Sequence, residues 1–313
     1  MELVLNNNNN LSFETAKGVV KIVNWFIAEL DVKESSKSTY KRQIRLFFRW
    51  VGEVGHKLSQ LTRIQLIEYK KALLGSGKSS LTAGGYLTAV RKFYEWTEAH
   101  KLYPNIAKGI KSPKRIQKFK KQALTIEKSK ELVKLAEDLP LRDKALINLL
   151  IRGGLRTIEV SRANIEDIVY QSGERLLMLH RKGRDEKDKF IVLTDKVYQP
   201  IKDYLESRIE VTPETPLFVS SSNNSKGERL STRTISGIAK DNLKEIGLDS
   251  KAFTAHSLRH TTATNIRRAG GSLEDIQQVL GHESITTSQI YDRMYREEQR
   301  IKNAPERLLD TFI

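Results

Sequence analysis

The chain has 313 residues, 54 Lys and Arg against 38 Asp and Glu (net +16), and no cysteine. Disulfides, thiolate zinc sites and cysteine nucleophiles are excluded, and a chain free of disulfides suits a reducing cytosol. No apolar run approaches the roughly eighteen residues of a membrane span, and the N-terminus lacks the basic region and apolar core of a signal peptide.

The length allows two domains, each with its own core. Residues 1–11, with Asn6 to Asn10, read as a polar low-complexity tail. Val19, Ile22, Val23, Phe26, Ile27 and Leu30 follow helical spacing, as do Tyr40, Ile44, Phe47, Phe48 and Val51 after the cap candidates Ser36 and Ser38. Thr62 to Leu74 and Thr82 to Thr97 predict two more helices. Residues 12–103 are therefore expected to form a four-helix bundle, with Trp50, Phe93 and Trp96 read as core.

Residues 104–124 are expected to be a basic linker, because Pro104, Gly109 and Pro113 interrupt helical spacing. Between Lys101 and Lys121 there are eight basic residues and no acid. Residues 1–124 carry 23 Lys and Arg against 9 acids, whereas the remainder is nearly balanced, 31 against 29. A positive stretch between two folded units fits the tracking of a phosphate backbone, with Lys108, Lys111, Lys114, Arg115, Lys118, Lys120 and Lys121 as candidate contacts.

A second unit is expected over residues 125–295, followed by a C-terminal helix, 296–313, whose Leu308, Leu309, Phe312 and Ile313 fall on one face and call for a partner surface, that of a neighbouring copy. Ala145 to Ile151 reads as a buried helix ending at Gly153-Gly154. Leu176 to Leu179 and Phe190 to Leu193 flank a charged turn, which predicts a β-hairpin, and Leu217 to Val219 reads as a short strand. Helices are expected over Thr232–Ile246, Ser257–Arg268 and Ser272–Leu280, with glycine stops at Gly247, Gly270 and Gly281. The fold class is thus mainly α, an N-terminal helical bundle followed by a mostly helical α+β domain with a small antiparallel sheet.

Within that second unit lies the run His256-Ser257-Leu258-Arg259-His260, followed by Leu280-Gly281-His282 and Ile290-Tyr291. His256 and Arg259 are three residues apart and share a helix face, so both can address one anion. Upstream, Gly153-Gly154-Leu155-Arg156-Thr157-Ile158-Glu159 places an arginine at the start of a helix, where phosphate is already favoured. Paired arginines suit charge developing on non-bridging phosphate oxygens. A tyrosine, with an ordinary pKa of about 10, needs neighbouring cations or a base before it can attack.

The set Arg156, His256, Arg259, His282 and Tyr291 resembles the tyrosine recombinase (phage integrase) family, of the simple two-domain Xer-like type. The resemblance runs over roughly residues 12 to 295. It implies a SAM-like core-binding bundle, a tyrosine recombinase catalytic domain, and site-specific DNA cleavage and rejoining through a 3′-phosphotyrosine and a Holliday junction. In the family a lysine on a β-hairpin turn protonates the leaving 5′ oxygen, and Lys182 matches that position. The hairpin is about two residues longer than the family pattern and Val192 stands where a proline is common, so Lys187 and Lys189 are rivals. His256 resembles the acid/base histidine, His282 the residue that hydrogen-bonds the scissile phosphate, and Glu159 the acid that supports the first arginine.

No HExxH or aspartate-rich loop appears, and the phosphotyrosine conserves the bond energy, so no metal or cofactor is implied. The implied partners are double-stranded core sites with inverted repeats and further copies of the chain, four on two duplexes. No membrane is implied, and the sequence specifies no accessory DNA-bending protein. The expected location is cytoplasmic, on the nucleoid.

Two other readings stand beside this one, a type IB topoisomerase-like enzyme that relaxes DNA, and a DNA-binding regulator without catalysis. The short tail after Tyr291 favours the recombinase over the first, and the complete residue set argues against the second. Integration and excision, resolution of dimers or cointegrates, and inversion all use the same constellation. The lack of a further N-terminal arm-binding domain weighs against integrases that need distant arm sites.

Overall fold

The computed structural model describes residues 15–114, 122–180, 187–209, 211–282 and 284–312. The chain divides into two units, residues 1–118 and 119–313. Four helices build the first: α1 (Ala16–Glu29), α2 (Glu34–Glu53), α3 (Arg63–Gly75) and α4 (Ser80–Ala99). Thr62 and Gln65 form a reciprocal capping box at α3, the Thr62 N–H donating to Gln65 at 2.8 Å. At α2 the expectation is corrected. The helix begins at Glu34, so Ser36 and Ser38 lie inside it, and an acidic first turn favours this start through the helix dipole.

The apolar stripes of all four helices meet in one core around Phe26, Phe47, Tyr69, Phe93 and Tyr94. Phe26 and Phe93 meet edge to face at 5.4 Å, and Trp96 donates its indole N–H to Glu29 at 2.7 Å. These aromatics are occupied by packing, as read from the sequence.

Residues 104–114, expected as extended linker, instead dock on this bundle. Ala107 and Ile110 are buried, and backbone carbonyls of the segment accept from basic side chains of the helices. Lys70 donates to the Lys111 carbonyl at 2.9 Å, Arg91 to that of Ile110 at 3.2 Å, and Arg63 to those of Lys108 and Gly109. Proline and glycine ended the helical spacing without freeing the segment, because its two apolar side chains found the core.

In the second unit, α6 (Leu141–Gly153) is the buried axis, with Ala145 to Ile151 all buried. Around it pack α5 (Ile126–Glu137), α8 (Asp195–Glu206), α9 (Thr232–Glu245) and α10 (Ala255–Arg268). A short helix, α7 (Thr157–Arg162), leads into an antiparallel sheet of order β1-β2-β3 (Ile168–Gln171, Glu174–Leu179, Lys189–Val192). The hairpin read from the sequence is β2-β3, with Leu177 opposite Ile191.

Strand β1 was not read. Its signal was the dipeptide Ser172-Gly173, which makes a two-residue turn with φ of 53° and 82° at the two positions. The stretch Leu217 to Val219 contributes one isolated bridge, Val219 to Arg229, and no strand among the described residues.

Two further helices complete the unit, α11 (Leu273–Leu280) and α12 (Ile285–Lys302). Gly281 ends α11 in the left-handed conformation, φ 58°, as its position predicted. The terminal segment differs from expectation. Helix α12 runs unbroken through Tyr291 and residue 296 to Lys302, and a separate 3-10 turn, Pro305–Thr311, follows. No helix among the described residues is long and apolar enough to cross a membrane.

Candidate active site

Four helix ends and faces converge here. Arg156 is the N-terminal cap residue of α7, placed by Gly154, whose left-handed backbone (φ 64°) turns the chain out of α6. A Cβ on Gly154 would lie 2.6 Å from Leu280 and 3.1 Å from Thr262, so α10, α11 and this turn come together only because the residue is glycine. The sequence showed a helix stop; the close approach is tertiary.

Glu159 is buried and reaches back to Arg156 twice, accepting from its backbone N–H and from its guanidinium, both at 2.7 Å. Its Oε2 also lies 3.7 Å from the Arg259 guanidinium. One buried carboxylate therefore serves both arginines, which satisfies the rule that a buried charge be paired. Arg259, only 2% exposed, donates to the carbonyls of Gly154 and Leu280, each at 2.6 Å. Those bonds tie α10 to the turn before α7 and to the end of α11. Arginine can do this because its donors form a rigid fork.

His256 sits in the first turn of α10 and lines, with Arg156, Ser236 and Thr254, a cavity of about 300 Å³. Its ring meets that of His260 edge to face at 4.8 Å, and His260 in turn meets Tyr291 at 5.0 Å. On its other side Tyr291 lies parallel to His282, 5.9 Å between ring centres.

The tyrosine is buried in a small cluster with Ala263, Ile276 and Leu280, so α12 delivers it to the site of its own chain. Burial raises its pKa above the ordinary phenol value, and the positive charges of Arg259 and Arg156 oppose that shift. It is a protonated phenol at neutral pH, held beside the two cations that favour its ionised form.

His282 follows the Gly281 cap and is buried; its Nδ1 is 2.9 Å from the Ser288 hydroxyl. Asp292, next to the tyrosine, is paired with Arg267 at 2.8 Å and Arg296 at 2.7 Å. Sequence reasoning passed over Ser288, although its position three residues before Tyr291 puts the two on neighbouring faces of one helix.

Lys182 lies outside the described residues, as do Arg115, Lys118, Lys120 and Lys121. Of its rivals, Lys187 is engaged elsewhere: it pairs with Asp167, a buried carboxylate, and with Glu166 at 3.5 Å. The hydrogen bond to Asp167 pushes its pKa upward, away from easy proton donation. Lys189 begins β3, exposed, opposite Leu179. Lys108, Lys111 and Lys114 are exposed on the first unit.

The sequence profile of the phage integrase family matches residues 122–298, and that of its N-terminal SAM-like domain matches residues 24–101. Among curated relatives, tyrosine recombinase XerC of Pelobacter propionicus is 31% identical over 84% of this chain and 86% of its own. Tyrosine recombinase XerA of Pyrococcus horikoshii is 28% identical over 93% of this chain and 95% of its own. Among solved structures, the XerH site-specific recombinase bound to palindromic difH substrate in a post-cleavage complex superposes with a TM-score of 0.71 at 20% identity. That match covers 87% of this chain and 80% of XerH. A lambda integrase dimer bound to a COC′ core site gives 0.67 at 18% identity, covering 86% of this chain and 96% of that one. With Arg156, Arg259, His256, His282 and a buried Tyr291 gathered in one unit, and the family profile covering residues 122–298 of it, the protein belongs to the phage integrase family and is a tyrosine site-specific recombinase.

Proposed function

We propose that Tyr291 attacks the scissile phosphate of a DNA core site, forming a Tyr291 Oη–P bond at the 3′ side while the P–O5′ bond breaks. The observation that carries this is the packing of a buried tyrosine beside two arginines that share Glu159. Arg156 and Arg259 hold the non-bridging oxygens, His282 donates to one of them, His256 serves as acid/base, and Glu159 keeps both arginines in place. Lys182 gives the leaving 5′ oxygen its proton, a reading that the ion pairs of Lys187 support by occupying that rival.

The second strand is exchanged through a Holliday junction, in integration and excision or in resolution of dimers and cointegrates. Neither topoisomerase-like relaxation nor a catalytically inactive regulator is favoured by any of the relatives. A nicked suicide duplex bearing the core site tests the chemistry. The wild-type protein should accumulate an SDS-resistant adduct whose DNA-linked peptide contains Tyr291; no adduct on a bound site would remove the proposal.

The DNA partner is a duplex with inverted half-sites. Lys108, Lys111, Lys114, Arg115, Lys118, Lys120 and Lys121 are proposed to follow its phosphates. Support comes from XerH, solved on a palindromic difH substrate, and from lambda integrase, solved as a dimer on a core site.

Assembly into a tetramer on two duplexes is proposed to use the terminal segment. Leu308, Leu309 and Phe312, in and just after the 3-10 turn, are 66%, 58% and 87% exposed, which leaves apolar surface for a partner to cover. The second unit carries a groove of about 580 Å³ whose lining includes Ile126, Val133 and Ile151 together with Lys130, Lys134, Arg152 and Glu137. Glu306 and Asp310 against Arg307 leave the segment one net negative charge, with Glu306 paired to Arg300. Removing residues 306–313 is expected to leave single half-site binding intact but abolish cooperative filling of the full site and strand exchange. A gel-shift titration with undiminished cooperativity and normal recombination would refute this.

A further inference from the structure

We infer that Ser288 is a positioning residue for His282, setting which imidazole nitrogen carries the proton that faces the scissile phosphate. The inference rests on the proposed role of His282 as a donor to that phosphate. Ser288 is fully buried, and its hydroxyl lies 2.9 Å from His282 Nδ1. The histidine backbone is held as well: its main-chain N–H donates to the Gln277 carbonyl at 3.1 Å, and its carbonyl accepts from the Gln277 side chain at 3.1 Å. At the ring, Nδ1 is the nitrogen that Ser288 engages.

A neutral imidazole has one donor and one acceptor nitrogen. For Nε2 to donate to a phosphate oxygen, Nδ1 must be the acceptor, and Ser288 supplies the hydroxyl proton it needs. In the opposite tautomer Nε2 would present a lone pair to an anion. When His282 is protonated, both nitrogens donate and the serine oxygen accepts, so the hydroxyl serves either state. Its importance is therefore greatest where the ring is neutral.

The placement adds a consequence. Ser288 and Tyr291 are one turn apart on α12, so the helix that delivers the nucleophile also selects the donor tautomer of the phosphate ligand. If α12 leaves, both are lost together.

Several charged and titratable groups among the described residues stand around His282. Tyr291 stacks on it from α12, and His260 stands across the tyrosine ring on α10. Arg259, also from α10, holds the Leu280 carbonyl two residues before it. From α11 the facing group is the neutral Gln277. Two carboxylates of the site are committed to arginines, Asp292 to Arg267 and Arg296, and Glu159 to Arg156 and Arg259.

The test is single-turnover cleavage of the suicide duplex by full-length wild type, Ser288→Ala, Ser288→Thr and His282→Ala, at pH 8 and at pH 6, straddling the ordinary histidine pKa of about 6.5. Each rate is expressed relative to wild type at the same pH. Ser288→Ala should lose about tenfold at pH 8, the scale of one hydrogen bond, and less than about threefold at pH 6. Ser288→Thr, which keeps the hydroxyl, should recover most of the loss, while half-site affinity and thermal midpoint stay near wild type in both. Wild-type rates for Ser288→Ala at both pH values would overturn the inference. So would an equal loss at both, which marks mere damage to α12. Should His282→Ala cleave normally, the failure lies in the role given to His282 and not in Ser288.

Discussion

Replacing Tyr291 by Phe is expected to leave core-site binding unchanged and to eliminate the covalent adduct entirely. The ring of Tyr291 packs with Ala263, Ile276 and Leu280 and against His260 and His282, and Phe keeps every one of those contacts. Only the nucleophilic oxygen disappears. Because burial raises the phenol pKa while Arg259 and Arg156 lower it, removing that oxygen also removes an ionisable group from beside two cations. Stability should be unchanged or slightly higher at neutral pH, where the phenol is protonated in either state. A gel of the suicide reaction under SDS is the measurement. An adduct persisting in Tyr291→Phe would mean that another residue is the nucleophile.

The two arginines are expected to fail in different ways. Arg156→Ala and Arg259→Ala should each reduce single-turnover cleavage by roughly 10² or more, the scale observed when one donor to a developing oxyanion is lost. Arg156 is about one-third exposed and its side chain bonds only Glu159 among the described residues, so its removal should cost less stability than that of Arg259. Arg259 is buried and holds two backbone carbonyls from different elements as well as facing Glu159.

Truncating Arg259 strands those carbonyls and weakens the pairing of a buried carboxylate, a loss of roughly 3–5 kcal/mol by analogy with broken buried pairs. Thermal unfolding alongside cleavage separates the two effects. Near-wild-type cleavage in either variant removes that arginine from the site. A melting point for Arg259→Ala equal to that of Arg156→Ala would contradict its structural role.

Much of this was legible in the residues themselves. Helical spacing of Val19 to Leu30 and of Tyr40 to Val51, and glycine stops at Gly154 and Gly281, are local signals that depend on backbone geometry and one apolar face. The spacing from His256 to Tyr291 identified the family because the chemistry needs those side-chain types in that order. Local signals also misled, as at residues 104–114, where proline and glycine were read as a free linker but Ala107 and Ile110 are buried in the core.

Only the tertiary structure decided how the site is held. Glu159 and Arg259 are a hundred residues apart in sequence, and nothing in either segment announces that one carboxylate will serve two arginines. The same is true of Gly154 against Leu280 and Thr262, a close approach that requires three elements to meet. Ser288 was visible as a polar residue in a helix, but a hydroxyl that solvent could equally satisfy acquires a role only when burial leaves His282 as its partner. Sequence determined which groups this protein would bring to phosphate, because their identities are covalent. Tertiary structure determined their orientation and ionisation, because those depend on burial and on partners supplied from elsewhere in the chain.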